Sequence, residues 1–194
     1  MSGKEIFGFL SVLLTLLAFL PYIFSTIKNH TRPHLFTWIV WGFTAGISSA
    51  AQYSDNAGEG AWAAMVGAFF CFSIAVLAVR HGEKSITRSD WISFFGALAA
   101  IPLWYVTKNA LSAAIMVAAA DALGFYPTFR KSYTKPHEEL AFKYIIEAIR
   151  FLLACFAIEN YSLTTLLYPL YVILSNTSFV LMLLWRRHRL RGIK

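Results

Sequence analysis

Residues 24–34 read Phe24-Ser25-Thr26-Ile27-Lys28-Asn29-His30-Thr31-Arg32-Pro33-His34, and residues 127–137 read Pro127-Thr128-Phe129-Arg130-Lys131-Ser132-Tyr133-Thr134-Lys135-Pro136-His137. At a constant offset of 103, Lys28 meets Lys131, Thr31 meets Thr134, Pro33 meets Pro136 and His34 meets His137, while Arg32 falls on Lys135. A second correspondence follows at an offset of 104, where Asp55-Asn56 matches Glu159-Asn160. Self-similarity at this range is the mark of a duplicated architecture. The competing reading is that short basic loops look alike under a common topology; the shared Pro-His ending favours duplication.

Working outward, each basic stretch closes a long apolar run. A helix needs about 20 largely apolar residues to cross the hydrocarbon core of a bilayer. Seven stretches qualify, at about 5–28, 35–54, 60–80, 90–107, 110–131, 139–158 and 163–186. Composition agrees: 58% of the 194 residues are hydrophobic, 14% are charged, and the mean hydropathy is +0.57. A soluble globule would carry roughly 25% charged residues. The sequence therefore predicts an all-α membrane protein, for which the lipid bilayer is the first partner. The first apolar run continues into Pro21-Tyr22 and a basic loop with no cleavage pattern, so it reads as a retained helix. Cys71 and Cys155 lie inside apolar runs and read as small packing residues.

The formal charge of +7 points first to nucleic acid. The basic residues instead sit at segment ends and form no continuous stripe, which excludes that partner. With the N-terminus outside, the inner loops hold Lys28 and Arg32, then Arg80, Lys84 and Arg88, then Arg130, Lys131, Lys135 and Lys143. The tail adds Arg186, Arg187, Arg189, Arg191 and Lys194, within reach of anionic headgroups. Only Lys4 and Lys108 fall outside, with Arg150 inside a span, while the outer loops carry Asp55, Glu59 and Glu159. The positive-inside rule then gives an outer N-terminus and a cytoplasmic C-terminus, hence an odd number of spans in the plasma or inner membrane. Parity fits duplication. Helices one to three and five to seven run in the same direction when a single helix separates them. The expected organisation is a first unit over 1–84, a linker helix over 85–108 and a second unit over 109–194.

This 3+1+3 plan, with a proline in the cytoplasmic half of the first helix of each unit, resembles the SWEET and PQ-loop superfamily. The residues that carry the resemblance are Pro21 through Phe36 and Pro127 through Phe142, a motif of only about a dozen residues per repeat. They follow the pattern of a helix proline, apolar or small residues, a lysine and a short polar loop. Glutamine follows neither proline, the dipeptides being Pro21-Tyr22 and Pro127-Thr128. The two prolines also stand about one helical turn apart in the repeat alignment. The resemblance implies transport of a small solute by rocking one unit against the other, with Pro21 and Pro127 as hinges; a static kink at each is the other reading. Pro102 and Pro169 read as kinks.

Ionisable residues within spans are costly and are functional candidates by default. The candidates are Asp121 in helix five, Glu147 and Arg150 in helix six, and Asn176 at comparable depth in helix seven. The matching positions of the first unit, Ala18, Thr44, Ile47 and Ser73, carry no charge. Glu147 and Arg150 are three apart and share a helix face. Two carboxylates against one guanidinium leave a negative charge to be neutralised by a proton, a cation or a cationic solute. Trp38 and Trp41 read either as an interfacial aromatic belt or as a stacking wall for a ring-shaped solute. Nicotinamide-riboside transporters are similar in topology, but Ala45 stands where their Trp-xxx-Asn pattern needs asparagine. Gly42 and Gly46 form a small-xxx-small pair for close packing, which leaves a homo-oligomer open.

Other chemistries lack their residues. Helix seven has no lysine for a retinal Schiff base. His30, His34, His81, His137 and His188 all lie at cytoplasmic ends. The reading is therefore no enzyme, no cofactor and no metal. It is a transporter of a small polar solute by alternating access, with proton coupling left open. The alternative is a membrane-embedded binding or sorting receptor of the same fold.

Overall fold

The computed structural model describes residues 2–54, 58–107 and 110–191. The repeat match at Asp55-Asn56 and the charges of Lys108 and Lys194 lie outside the described residues. Among the described residues there are seven α-helices and no strand: α1 (Gly3–Ile27), α2 (Leu35–Ser54), α3 (Trp62–His81), α4 (Arg88–Thr107), α5 (Ala110–Thr134), α6 (Ala141–Ala157) and α7 (Leu163–Arg191). Single 3-10 turns occupy Gly58–Ala61 and Pro136–Glu138. Every stretch read as helical from the sequence is helical. The ends moved where no breaker stops the backbone: α5 runs on to Thr134, just short of Pro136, and α7 takes up the basic tail to Arg191.

Local chemistry explains the boundaries of α1. Ser2 and Glu5 form a reciprocal capping box, the Glu5 N–H donating to the Ser2 hydroxyl at 3.2 Å and the Ser2 N–H to the Glu5 carboxylate at 2.9 Å. At the other end Asn29 takes a positive φ of 58°, a left-handed turn that asparagine tolerates. Pro21 and Pro127 both sit inside unbroken helices.

Three helices are long and apolar enough to cross a membrane: Gly3–Ile27, Trp62–His81 and Leu163–Leu190. The exterior has the same character, since Ile92 is 74% and Val76 73% exposed. Large aliphatic side chains this open to the surroundings are what lipid accommodates and water does not. These are the properties of a membrane protein.

In the packing, α1 lies against α6 and α3, and α2 lies against α3, α5 and α4. The remaining neighbours are α4 with α5, α5 with α7, and α6 with α7. The core between them is aromatic. Phe19, Tyr22, Trp38, Trp41, Phe125, Tyr144 and Phe179 are all buried in one cluster. Phe125 stacks on Tyr144 at 5.9 Å and 10°, and Tyr144 meets Phe179 at 4.4 Å.

Small residues bring the backbones together. A Cβ at Gly42 would fall 2.7 Å from the Phe72 ring of α3, so this glycine serves packing within the chain. At Gly124 of α5 a Cβ would fall 2.5 Å from Val40 Cγ1 and 2.8 Å from Val40 Cβ on α2. Val40 is buried and β-branched, with little freedom to yield. Gly124→Ala is therefore expected to lower stability by about 1–3 kcal/mol. Combined with Val40→Ala it should lose less than the sum of the two single changes. Reversible unfolding in detergent micelles checks this, and additive losses would show that the two positions do not meet.

Candidate functional site

Lys143, Glu147 and Arg150 recur at intervals of four and three, which places them on one face of α6. That face points inward: Lys143 is 2%, Glu147 5% and Arg150 3% exposed. The outward face carries Phe142, Ile145, Ile149, Leu152 and Phe156, all exposed. The helix is thus inverted relative to one on a water-soluble protein, with charge inside and hydrocarbon outside.

Arg150 is tied down on several sides. Its Nη2 donates to Glu147 Oε2 at 2.7 Å and its Nη1 to the Ala63 carbonyl of α3 at 2.8 Å. The guanidinium lies 4.4 Å from the centroid of the Phe151 ring. Gly67 of α3 makes room for it, since a Cβ there would touch the guanidinium at 3.6 Å. Glu147 Oε1 and Arg150 Nε are left without a hydrogen-bond partner in the protein.

Lys143 is the residue that sequence reasoning missed. Its position near a basic loop placed it among the orienting charges, whereas the structure buries it within α6. Its ammonium lies 4.5 Å from the Trp41 ring centroid, 4.6 Å from Tyr144, 4.9 Å from Trp38 and 5.3 Å from Phe19. Cation–π attraction of this kind contributes about 0.5–2 kcal/mol per ring as desolvation increases. Among the described residues the Lys143 ammonium makes no hydrogen bond or ion pair. The signal available in the sequence was the heptad-like spacing with Glu147 and Arg150. With Lys143 included, two carboxyl groups face two basic groups, so by formal charge the excess negative charge expected from the sequence is balanced.

Asp121 of α5 is the converse case, a charge fully surrounded by donors. Tyr168 and Thr44 lie 3.1 Å and 3.3 Å from Oδ1, and Tyr171 lies 3.1 Å from Oδ2. Thr44, which aligns with Glu147 at the offset of 103, thus brings a hydroxyl of α2 to this carboxylate. Asn176 of α7 donates through Nδ2 to the Val172 carbonyl at 2.8 Å, leaving its Oδ1 without a partner.

These groups surround one cavity of about 40 Å³, lined by Asp121, Lys143, Glu147, Arg150, Asn176 and Trp41 together with Phe19, Ala45, Ala64, Gly67, Cys71, Phe151, Tyr168 and Val172. By the volume that one water needs, it holds a few waters or a solute of a few heavy atoms. The structure thus brings Asp121, Glu147, Arg150 and Asn176 together, as the sequence proposed. Trp41 reaches the cavity and Trp38 stands behind it against Lys143. Both are buried, 7% and 0% exposed, so neither sits in an interfacial belt. Pro21 and Pro127 lie away from the cavity lining.

The basic end of the bundle is closed by polar contacts between loops. Lys131 pairs with Glu139 and donates to the Arg32 carbonyl at 2.7 Å. Tyr22 and Tyr144 each donate to Glu139 Oε2 at 3.1 Å. Arg130 holds Asp90 with two hydrogen bonds of 2.9 and 2.7 Å, and His34 joins it at 3.3 Å. Lys135 meets Glu83 at 2.8 Å. The two repeated basic loops therefore touch each other, and several of the charges counted as orienting signals are also structural partners. Burial opposes the ionisation of Glu83, but Lys135 and the Ser85 N–H outweigh it and hold its carboxyl down at about 2. Among the described residues no group of three His, Cys, Asp or Glu is arranged to hold a metal ion.

Comparison with known proteins gave no match to a family model, to a curated protein or to a solved structure.

Two measurements follow from these charges. Removing one partner of a buried ion pair strands the other, at a cost of about 3–5 kcal/mol. Glu147→Ala should therefore destabilise the protein by that order, and Glu147→Leu combined with Arg150→Met should recover most of the loss in a chemical unfolding titration. For Glu83 the folded value lies below the ordinary 4.5, so its contribution is present above pH 4.5 and is lost as pH falls toward about 2. Glu83→Gln should flatten the stability profile in that window, and an unchanged profile would remove the pair as a source of acid sensitivity.

Proposed function

We propose that this chain is a seven-span membrane transporter of a small polar solute, built as parallel units over 1–84 and 109–194 around a linker helix. The observation that carries the proposal is the buried polar cavity, whose walls come from both units and whose polar atoms are incompletely satisfied. Among the described residues eight buried side-chain polar atoms lack a partner, and four of them, on Trp41, Glu147, Arg150 and Asn176, belong to the cavity lining, where each costs about 1–3 kcal/mol while unpaired. A solute that supplies the missing partners recovers that energy on binding.

The packing pattern supports the duplicated plan. Exchanging α1 with α5, α2 with α6 and α3 with α7 maps the contact of α1 with α6 onto that of α5 with α2. The same exchange maps α1–α3 onto α5–α7 and α2–α3 onto α6–α7. A pseudo-two-fold relation of this kind lets one unit rock against the other about a central site. The resemblance to SWEET and PQ-loop proteins rests on the same plan and on the two basic loops. The charge pattern supports an outer N-terminus and a cytoplasmic C-terminus.

A receptor that binds without transporting is favoured by one observation, the ion-paired closure of the basic end. Lys135–Glu83 and Lys131 to the Arg32 carbonyl both tie one unit to the other. Proteoliposomes separate the two. Challenged in turn with ribose, erythritol, alanine and lactate, they should take up at least one solute faster than empty liposomes. Asp121→Asn should sharply lower that uptake, because it removes a charge from the cavity wall, while the variant remains folded. Binding without uptake in the same preparation would identify a receptor, and unchanged uptake by Asp121→Asn would exclude that carboxyl from the mechanism.

A further inference from the structure

Resting on the reading of the cavity as a solute site, we infer that its ligand is a small 2-hydroxy monocarboxylate that binds together with one proton, the carboxylate seated on Lys143 and the proton on Glu147 Oε1. The donors and acceptors that the protein leaves open decide the class. The open donors are the Lys143 ammonium, Arg150 Nε and Trp41 Nε1; the open acceptors are Glu147 Oε1 and Asn176 Oδ1. The three N–H groups of an ammonium call for acceptors, and the four aromatic faces around Lys143 supply attraction but no lone pair. An anionic oxygen fills that vacancy, and Trp41 and Arg150 present further donors on the same cavity wall.

Size and wall chemistry narrow the anion. A cavity of about 40 Å³ suits a solute of a few heavy atoms. Phe19, Phe151 and Val172 provide an apolar side for a short carbon chain. Lys143 and Glu147 are one helical turn apart, about 6 Å along α6, which matches a solute of two to four carbons. A hydroxyl beside the carboxylate has the free Asn176 Oδ1 as its acceptor.

The proton follows from charge balance. The groups facing Glu147 are Arg150 and Lys143 on its own helix, Asp121 from α5, Cys71 from α3 and Tyr168 from α7. Two cations and two carboxylates sum to zero, so an entering anion leaves the cavity with one uncompensated charge in a low-dielectric interior. One proton taken up with the anion restores neutrality. Asp121 is the less open acceptor, because Tyr168 and Tyr171 donate to it and the Thr44 hydroxyl, shared with the Trp41 carbonyl, lies 3.3 Å from it. Glu147 keeps Oε2 on Arg150 and has Oε1 free to take a proton from solvent as an O–H bond, while no bond of the ligand is made or broken.

Calorimetric titration of the purified protein tests this, with lactate, lactamide, propionate and chloride as ligands in two buffers of different ionisation enthalpy. Lactate is expected to bind about tenfold or more tightly than lactamide, which lacks the anionic charge, and more tightly than propionate, which lacks the hydroxyl. About one proton should be taken up per lactate at neutral pH. Lys143→Gln should weaken lactate about tenfold or more while Lys143→Arg retains part of the affinity, and Glu147→Gln should abolish the proton uptake. The comparison of lactate with lactamide in the unaltered protein decides the question even if no variant folds. Equal binding of the two, absence of lactate binding, or a Lys143→Gln protein that binds lactate normally would overturn the inference. Chloride competing as well as lactate would overturn it in favour of a simple anion site. Lactate binding without flux in proteoliposomes would defeat transport and leave the ligand class standing. Flux of erythritol without lactate binding would do the reverse.

Discussion

The Lys143 ammonium, within 4.5 to 5.3 Å of four aromatic ring centroids, sets the condition that the rest of the interior satisfies. A cation taken out of water loses several kcal/mol of hydration even after the surroundings relax. Here the compensation comes from π faces and from two carboxylates nearby, supplied by α1, α2, α5 and α6. The placement of Phe19, Trp38, Trp41 and Tyr144 therefore follows from the charge as much as from apolar burial. It also accounts for the inversion of α6, whose inner stripe is ionic and whose outer stripe is hydrocarbon.

Around that centre the protein handles its two carboxylates differently. Asp121 has the hydroxyls of Tyr168 and Tyr171 on its two oxygens, with Thr44 shared between it and the Trp41 carbonyl. Glu147 is half engaged, with one oxygen on Arg150 and the other free. The difference assigns them different work: Asp121 shapes the wall and balances charge, while Glu147 offers a group that can change its partner.

The aromatic layer and the loop network close the basic end in two tiers. Tyr22 and Tyr144 belong to both, because their rings pack in the core while their hydroxyls hold Glu139. Glu139 is in turn anchored by Lys131, and its carbonyl accepts from Arg187 Nη2 at 2.6 Å. The extension of α7 into the basic tail thus serves the closure, since a frayed tail could not bring Arg187 onto the loop between α5 and α6. Any motion that opens the cavity at this end must part the contact between the two repeated loops.

The amino-acid sequence by itself determined the seven helices and nearly all of their ends, because apolar length, capping chemistry and prolines act locally. It also identified Asp121, Glu147, Arg150 and Asn176 as companions, since a polar side chain deep in an apolar run has few places to go. The repeated basic loops were visible as well, as a pattern in composition. What it could not reveal was Lys143. A lysine three residues into a helix beside a basic loop is the same in sequence whether it points to water or to a cage of rings, and only the approach of α1 and α2 made the cage. The partners of Glu83, Asp90 and Glu139 were hidden for the same reason, each lying across a loop contact or a bend of the chain. Helix formation is governed by neighbours along the chain, whereas the balance of buried charge is governed by neighbours in space, and that balance turned an apparent excess of negative charge into a neutral site.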